Sequence, residues 1–206
     1  MGFYENHCLP HLINCACGLK AFRSQRQIVV PQARGRVLEV GFGSGLNLPY
    51  YDPARVEFVW GLEPSAGMRR RARDNVGNSP LDVRWLDLPS EQIPLEDNSA
   101  DTVLLTYTLC TIADWRRALT EMRRVLRPGG VLIFSEHGSA PDAGVREWQE
   151  RLNPYWGRAF GGCNLNRPIP RLIEQMGFSI QSMESGYILA PKFAGFNYWG
   201  VARQAS

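Results

Sequence analysis

The stretch Val37-Leu38-Glu39-Val40-Gly41-Phe42-Gly43-Ser44-Gly45 decides the fold, because an apolar strand runs directly into a turn with three glycines. Glycine has no Cβ, so such a turn can bend sharply and lets a ligand approach the main-chain N–H groups. A strand that ends in this way is typical of nucleoside-binding α/β proteins. The other interpretation is an ordinary βα turn with a surface glutamate, and the turn alone does not decide between the two.

The spacing of these glycines argues against a dinucleotide ligand. The dinucleotide fingerprint G-x-G-x-x-G needs its third glycine at position 46, which is Leu46. Glu39, two residues before the first glycine, also suits a pyrophosphate poorly, whereas it suits a ligand that is cationic or donates hydrogen bonds there. S-adenosylmethionine has both properties, through its sulfonium and its α-ammonium group.

Length and composition predict a single domain. The 206 residues are 44% hydrophobic, which is enough for the core of one α/β domain over residues 1–206. The formal charge of +3 is small, and no aromatic-basic surface motif is present, so we expect no nucleic-acid partner. No stretch reaches the ~18 consecutive apolar residues of a membrane span, and we expect a cytoplasmic protein with reduced thiols.

Histidines and cysteines cluster near the start of the chain. His7, His11 and Cys15 are spaced so that one helix could gather them on one side. Tight metal binding usually draws paired ligands from two segments, and Pro10 interrupts this region, so we expect no metal site. We predict instead a partly buried amphipathic helix, within an N-terminal helical lid over residues 1–33.

Strand-like and helix-like segments alternate after residue 30, which predicts a mostly parallel sheet with helices on both faces. The predicted strands are 36–40, 56–62, 82–86, 101–106 and 131–136. The predicted helices are 65–75, a segment from Asp114 to a stop at 127–130, 142–160 and 171–176. Residues 138–175 form a predicted helical insert on the substrate side. The last segments, 179–183 and 193–202, are predicted as an antiparallel hairpin that closes the sheet.

Ligands of open α/β sheets bind outside the carboxyl ends of the strands, so residues that follow strands carry the chemistry. Glu63 comes 22 residues after Gly41, where an acid can accept both hydroxyls of a ribose. Met68, one helical turn further, is a candidate contact for an adenine face. Asp87 follows the third strand and can accept the exocyclic amine of adenine, although a helix or turn cap is an alternative role.

The fourth and fifth strands are followed by candidates for the reacting end of the ligand. Tyr107 is expected to border the methionine part of S-adenosylmethionine. Cys110 is interpreted as a small buried apolar residue rather than a nucleophile. His137 either faces a substrate or is a structural histidine with satisfied hydrogen bonds.

These residues together resemble the class I S-adenosylmethionine-dependent methyltransferases over about residues 36–136. The glycine turn, Glu63-Pro64-Ser65, Asp87-Leu88 and Arg127-Pro128-Gly129-Gly130 occur in the order that the family shows. The resemblance implies a Rossmann-like, seven-stranded, mostly parallel sheet with an antiparallel last strand, and S-adenosylmethionine as cofactor. The cofactor-binding residues that it implies are Glu39, Gly41, Gly43, Gly45, Asn47, Glu63, Pro64, Met68, Asp87, Leu88 and Tyr107.

A narrower resemblance covers residues 104–200. It is carried by Leu109-Cys110, Glu136-His137, Trp148-Gln149, Pro154-Tyr155-Trp156 and Gly162-Cys163-Asn164-Leu165, which are similar to animal methyltransferase-like proteins that methylate alkyl thiols. Those proteins begin with a hydrophobic membrane anchor that this sequence does not show. The resemblance implies a thiol acceptor.

The expected activity is methyl transfer to a small molecule. A thiol is favoured as acceptor because its pKa of about 8.5 lets it ionise near neutral pH with little help from a base. The predicted catalytic group is His137, with Tyr4 and His7 closing over the acceptor and Asn164 as an orienting hydrogen-bond partner. Asn164 is equally interpretable as a turn residue.

Two alternatives to a methyltransferase stay open from the sequence. One is a domain that binds S-adenosylmethionine or S-adenosylhomocysteine only to regulate a partner. The other is a nicotinamide-dependent oxidoreductase, which Leu46 and Glu39 disfavour. The sequence determines neither the identity of the acceptor nor the oligomeric state.

Overall fold

A computed structural model describes residues 9–205. The described part of the predicted N-terminal lid, residues 9–33, contains two helices, α1 (Leu9–Cys17) and α2 (Lys20–Val29), followed by a short 3-10 turn. The first helix ends before Gly18, whose N–H donates to the carbonyl of Asn14 at 2.9 Å, and a two-residue turn leads into the second helix. Tyr4 and His7, predicted to close over the acceptor, lie outside the described residues.

Within residues 9–205, seven strands form one sheet in the order β3-β2-β1-β4-β5-β7-β6. The strands β1 to β5 pair in parallel, and β7 is antiparallel to both β5 and β6. The predicted fold and the reversed last strand are therefore confirmed. The strand bounds are Gly35–Val40 (β1), Val56–Leu62 (β2), Val83–Leu86 (β3), Ala100–Thr106 (β4), Leu126–His137 (β5), Phe178–Tyr187 (β6) and Phe196–Gln204 (β7).

In the part of the chain that the structure describes, five further helices connect the strands. Their bounds are Ala66–Gly77 (α3), Trp115–Val125 (α4), Ala143–Ala159 (α5), Ile169–Gln175 (α6) and Lys192–Gly195 (α7). Ser65 caps α3 by accepting the Met68 N–H at 3.3 Å, and Asp114 caps α4 by accepting the Arg117 N–H at 3.1 Å. The predicted stop after α4 is confirmed, and its residues already belong to β5, which is longer than predicted because Leu126 pairs with Ala100.

Apolar side chains of β1 face both sides of the sheet, since successive residues of a strand point in opposite directions. Leu38 and Val40 pack in one core cluster with residues of α4 and α6. Val37 packs in a second cluster with residues of α2 and α3. The order of the strands reverses between β1 and β4, and a crevice for a ligand forms at such a point.

Gln149 anchors the helical insert to the sheet. Its Oε1 accepts the Ala140 N–H at 2.9 Å, and its Nε2 donates to the carbonyls of Gly138, Leu165 and Phe193 at 2.9 to 3.1 Å. Because this side chain is fully buried and fully hydrogen-bonded, α5 is held at a fixed position beside the ends of β5 and β7. Over residues 9–205, no helix combines the length and the apolar character that crossing a membrane requires.

Candidate functional site

A cavity of about 680 Å³ lies at the carboxyl ends of β1, β2 and β4, where the strand order reverses. This volume falls within the roughly 300–1,000 Å³ of small-molecule sites. Asn14, Cys17 and Arg26 from α1 and α2 cover one side of it. Residues predicted from the sequence that lie on its wall are Glu39, Gly41, Gly43, Asn47, Glu63, Pro64, Met68 and Tyr107.

The glycine turn forms part of the cavity wall with its main chain. Gly41 has φ +72°, and a Cβ at this position would overlap the side chain of Thr108. Gly43 has φ +58°, and its N–H donates to Glu63 Oε2 at 2.9 Å. Glycine is therefore required at both positions. Gly41 allows close contact with the chain after β4, and Gly43 presents bare backbone to the cavity.

The Glu63 carboxylate bridges the glycine turn and the start of α3. Its Oε2 accepts from Gly43, and its Oε1 accepts the Ser65 N–H at 2.8 Å. Burial raises the pKa of Glu63, and the two backbone hydrogen bonds oppose that rise. Each oxygen keeps a free lone pair, so the carboxylate can accept two neighbouring hydroxyl groups, as the 2′ and 3′ positions of a ribose provide.

Glu39 is a buried carboxyl group on the floor of the cavity. Its Oε1 accepts from Asn47 Nδ2 at 2.9 Å, and its Oε2 accepts from the Tyr51 hydroxyl at 2.6 Å. Burial raises the pKa of Glu39 to about 7, against these hydrogen bonds and the attraction of Arg26. A cationic ligand would favour the ionised form, so the carboxylate selects for positive charge in the cavity.

The raised pKa of Glu39 predicts a pH-dependent stability of the ligand-free protein. The unfolded chain ionises this group near 4.5 and the folded protein near 7, so the folded state binds more protons between these values, and stability falls as the pH rises. The contribution is about 3 kcal/mol at most. Chemical denaturation measures the unfolding free energy at pH 5 and at pH 8. We expect its decrease between these pH values to be smaller in Glu39→Gln than in wild type. Equal decreases in the two proteins would contradict a raised pKa of Glu39.

Arg26 is a functional candidate that sequence reasoning missed. Its buried guanidinium lines the cavity, donates from Nε to Asn47 Oδ1 at 3.0 Å and lies 5.7 Å from the ring centre of Tyr107. None of the ion pairs among residues 9–205 involves Arg26. A buried cation without an ion pair is suited to bind an anionic group. The sequence pattern that could have indicated Arg26 is its position on the same helical face as the apolar Phe22 and Val29, because an arginine is seldom buried.

The structure does not bring Asp87, Leu88 or Gly45 to the cavity wall. Asp87 is exposed and lies in a separate depression beside Arg70, and Leu88 is 38% exposed. The next residues, 89–91, line the cavity instead. The reason is that β3 is an edge strand, so solvent lies on one side of the residues that follow it. A Cβ on Gly45 would meet the side chains of Leu48 and Phe42, so this glycine supports the turn from behind.

His137 and Asn164 also lie off the cavity wall. His137, the last residue of β5, is buried with its Nε2 3.2 Å from the sulfur of Cys163. Asn164 donates from Nδ2 to the carbonyls of Cys110 at 3.0 Å and Gly162 at 2.8 Å. The hydrogen bonds of Asn164 correspond to the turn role that the sequence left open for it. His137 differs from a structural histidine with satisfied hydrogen bonds, because its Nδ1 is buried and has no hydrogen-bond partner within residues 9–205.

Comparison with known proteins supports one class. The family described as "Methyltransferase domain" matches residues 38–134. The chain is 31% identical to thiol S-methyltransferase TMT1A of Homo sapiens over 186 residues, which covers 85% of this chain and 75% of that protein. It is 37% identical to phosphatidylethanolamine N-methyltransferase of Cereibacter sphaeroides over 107 residues, which covers 50% of this chain and 51% of that enzyme. A SAM-dependent methyltransferase of Thermotoga maritima shares the fold, with TM-score 0.68, 19% identity and 98% of each chain covered.

The fold, the cavity at the strand reversal and these matches define a class I S-adenosylmethionine-dependent methyltransferase, with S-adenosylmethionine as its cofactor. The chain belongs to the family of these enzymes that includes thiol S-methyltransferase TMT1A. The cavity fits the cofactor, because it offers a bare glycine backbone, a carboxylate with free lone pairs at Glu63 and a second carboxyl group at Glu39. The oxidoreductase alternative is accordingly set aside.

Proposed function

We propose that this methyltransferase acts on a small-molecule acceptor with a thiol group. The observation that carries the proposal is the extent of the match to TMT1A, which covers 85% of the chain. The match to the phosphatidylethanolamine enzyme covers only 50%. A similarity that continues beyond the cofactor-binding part extends into segments that border an acceptor, and the match to TMT1A combines this extent with an identity of 31%.

The cofactor contacts in this proposal follow from the chemistry of the cavity wall. Glu63 accepts the ribose hydroxyls, and the Gly41 and Gly43 backbone approaches the amino-acid part of the cofactor. Glu39 provides negative charge for the cationic groups, while Arg26 provides positive charge for a carboxylate or for an anionic acceptor. When bound, S-adenosylmethionine supplies a methyl group on an already activated sulfonium.

The residues of the cavity suit an acceptor that needs little base catalysis. Glu39 and Glu63 are engaged in hydrogen bonds at both oxygens, and His137 lies behind the wall, so we assign proton removal to none of them. A thiol with a pKa of about 8.5 is already partly ionised near neutral pH by losing its proton to water, and the Arg26 guanidinium stabilises the thiolate by charge. The protein then mainly aligns the sulfur with the methyl group and excludes water.

Methyl transfer to matched acceptors tests the proposal. The purified protein is incubated with S-adenosylmethionine carrying a labelled methyl group and with an alkyl thiol, the amine of the same carbon skeleton, or the corresponding alcohol. We expect kcat/KM for the thiol to exceed that for either analogue by at least about 100-fold, because the amine and the alcohol require a stronger base. Equal or faster transfer to the amine would contradict a thiol acceptor.

A phospholipid amine is the second candidate acceptor, favoured by the match to the phosphatidylethanolamine enzyme. Vesicles that contain phosphatidylethanolamine form a further arm of the same assay, with phosphatidylcholine vesicles as the matched control. Methyl label in lipid extracted from the phosphatidylethanolamine vesicles but not from the phosphatidylcholine vesicles, with no label on the thiol, would favour the phospholipid amine as acceptor.

A further inference from the structure

Three buried side chains with ligand atoms suited to a metal ion meet beside the cavity. Cys110 follows β4, His137 ends β5 and Cys163 belongs to the chain between α5 and α6. The two sulfur atoms and one imidazole nitrogen all lie within 4.8 Å of one another. None of the three is more than 9% exposed. Thr111, next to Cys110, lines the cavity, so the cluster lies at its border.

Two of the three distances within the cluster are close to those between the ligands of a tetrahedral zinc ion. With Zn–S bonds of about 2.3 Å and Zn–N bonds of about 2.0 Å, two sulfurs of one tetrahedron lie about 3.8 Å apart, and a sulfur and a nitrogen about 3.5 Å. The corresponding distances here are 3.6 Å between Cys163 Sγ and Cys110 Sγ, and 3.2 Å between Cys163 Sγ and His137 Nε2. These two distances differ from the tetrahedral values by a few tenths of an ångström, and the third, between Cys110 Sγ and the His137 imidazole, is at most 4.8 Å, so an ion can be accommodated by moving side chains.

Hydrogen bonds fix the backbone on both sides of the cluster without using its thiols. The Cys110 N–H donates to the buried carboxylate of Glu136 at 3.4 Å, and its carbonyl accepts from the Asn164 N–H at 2.9 Å and from Asn164 Nδ2 at 3.0 Å. Arg167 donates to the carbonyls of Leu109 and Ile112 on either side. The ligand atoms are thus pre-organised, and Asn164 is a positioning residue of this cluster.

We propose that Cys110, His137 and Cys163 form a binding site for a thiophilic divalent cation of the zinc type. Two thiolates and a neutral imidazole balance the charge of such an ion, so the loaded cluster is neutral overall, as a buried site requires. Soft sulfur ligands favour zinc over magnesium or calcium, which prefer oxygen. Three protein ligands leave one position open, the arrangement of catalytic rather than structural zinc sites. This site is independent of which acceptor the enzyme methylates.

Metal binding to the purified full chain tests the proposal directly. The protein is stripped of metal under a phosphine reductant. One sample is titrated with Zn²⁺ against a chromophoric chelator, and a second metal-free sample is titrated with Co²⁺. We expect one tightly bound ion per chain, with the thiolate-to-cobalt charge-transfer band and the intense visible bands of tetrahedral Co²⁺. Cys163→Ser should weaken zinc binding by more than the roughly 10- to 100-fold that loss of an outer-sphere partner costs.

Cys15→Ser is the matched control, because Cys15 is exposed on α1 and lies outside the cluster. It should leave zinc affinity and the cobalt spectrum unchanged. Cys110→Ser provides a second variant, and calorimetric binding of S-adenosylhomocysteine verifies that each variant is folded. Zinc binding that survives both cluster substitutions in folded protein, or that disappears in Cys15→Ser, would overturn the site. So would a wild-type protein that binds no zinc or cobalt.

Discussion

Glu63→Gln is expected to weaken binding of S-adenosylhomocysteine by about 100-fold. Glutamine has the same size, but its amide nitrogen cannot accept a hydrogen bond, so one backbone N–H and one ribose hydroxyl lose their acceptor. Hydrogen bonds to a charged group contribute about 1.5–3 kcal/mol each, and a loss of about 3 kcal/mol corresponds to roughly 100-fold in Kd. Isothermal titration calorimetry measures the change.

The control is Glu57→Gln, the same substitution at an exposed position of the same strand β2. It should leave the affinity for S-adenosylhomocysteine as in wild type. Thermal unfolding of both variants separates a local effect at the ligand from a general loss of structure. If Glu63→Gln bound the nucleoside within about threefold of wild type, less than 1 kcal/mol, the ribose assignment would be wrong.

Gly41→Ala is expected to cost about 2–5 kcal/mol of unfolding free energy. A left-handed backbone conformation costs a non-glycine residue roughly 1–2 kcal/mol, and forcing atoms into a packed site costs a further 1–3 kcal/mol. Both apply here, since φ is +72° and the new Cβ would overlap the side chain of Thr108. Against a typical stability of about 5–15 kcal/mol this is a large loss. Denaturation in urea measures it.

Gly129→Ala separates the cost of the left-handed backbone conformation from the cost of the steric overlap. Gly129 has φ +79°, but nothing lies within 4 Å of the position that its Cβ would take, so only the backbone cost of roughly 1–2 kcal/mol applies. Adding Thr108→Ala to Gly41→Ala should recover part of the stability, because it removes the two side-chain atoms that overlap most closely. Equal losses at Gly41 and Gly129, with no recovery in the double variant, would show that the close contact has no energetic consequence.

Local sequence patterns predicted the elements of the fold accurately where one interaction dominates. The strand before the glycine turn is apolar on both faces, and the structure buries it between two helical layers. Ser65 and Asp114 accept backbone N–H groups at the starts of α3 and α4, as their residue types indicate. The boundaries were less accurate, because the long β5 begins within the residues that stop the preceding helix.

The candidate site was predictable to the extent that it depends on the positions directly after β1 and β2. Gly43 and Glu63 are brought together because adjacent parallel strands end at the same edge of the sheet. The adenine contact of Asp87 stays a prediction, because this residue lies off the cavity wall and the exposure of a residue after an edge strand depends on how the chain continues. Arg26 was missed because it reaches the cavity from a helix that precedes the sheet.

The sequence by itself determined the class of the fold, the reversed last strand and the cofactor, because the alternation of strands and helices and the order of the glycine turn, Glu63 and Asp87 along the chain resemble one family. Only the tertiary structure decided which residues from distant parts of the chain lie at the border of the cofactor cavity. Arg26 meets Asn47 across 21 residues, and Cys110 meets Cys163 across 53 residues, through hydrogen bonds that exist only when separate elements pack together. Contacts of this kind leave no periodic signal in the chain, because their geometry is set by the order of the strands and not by spacing along the sequence.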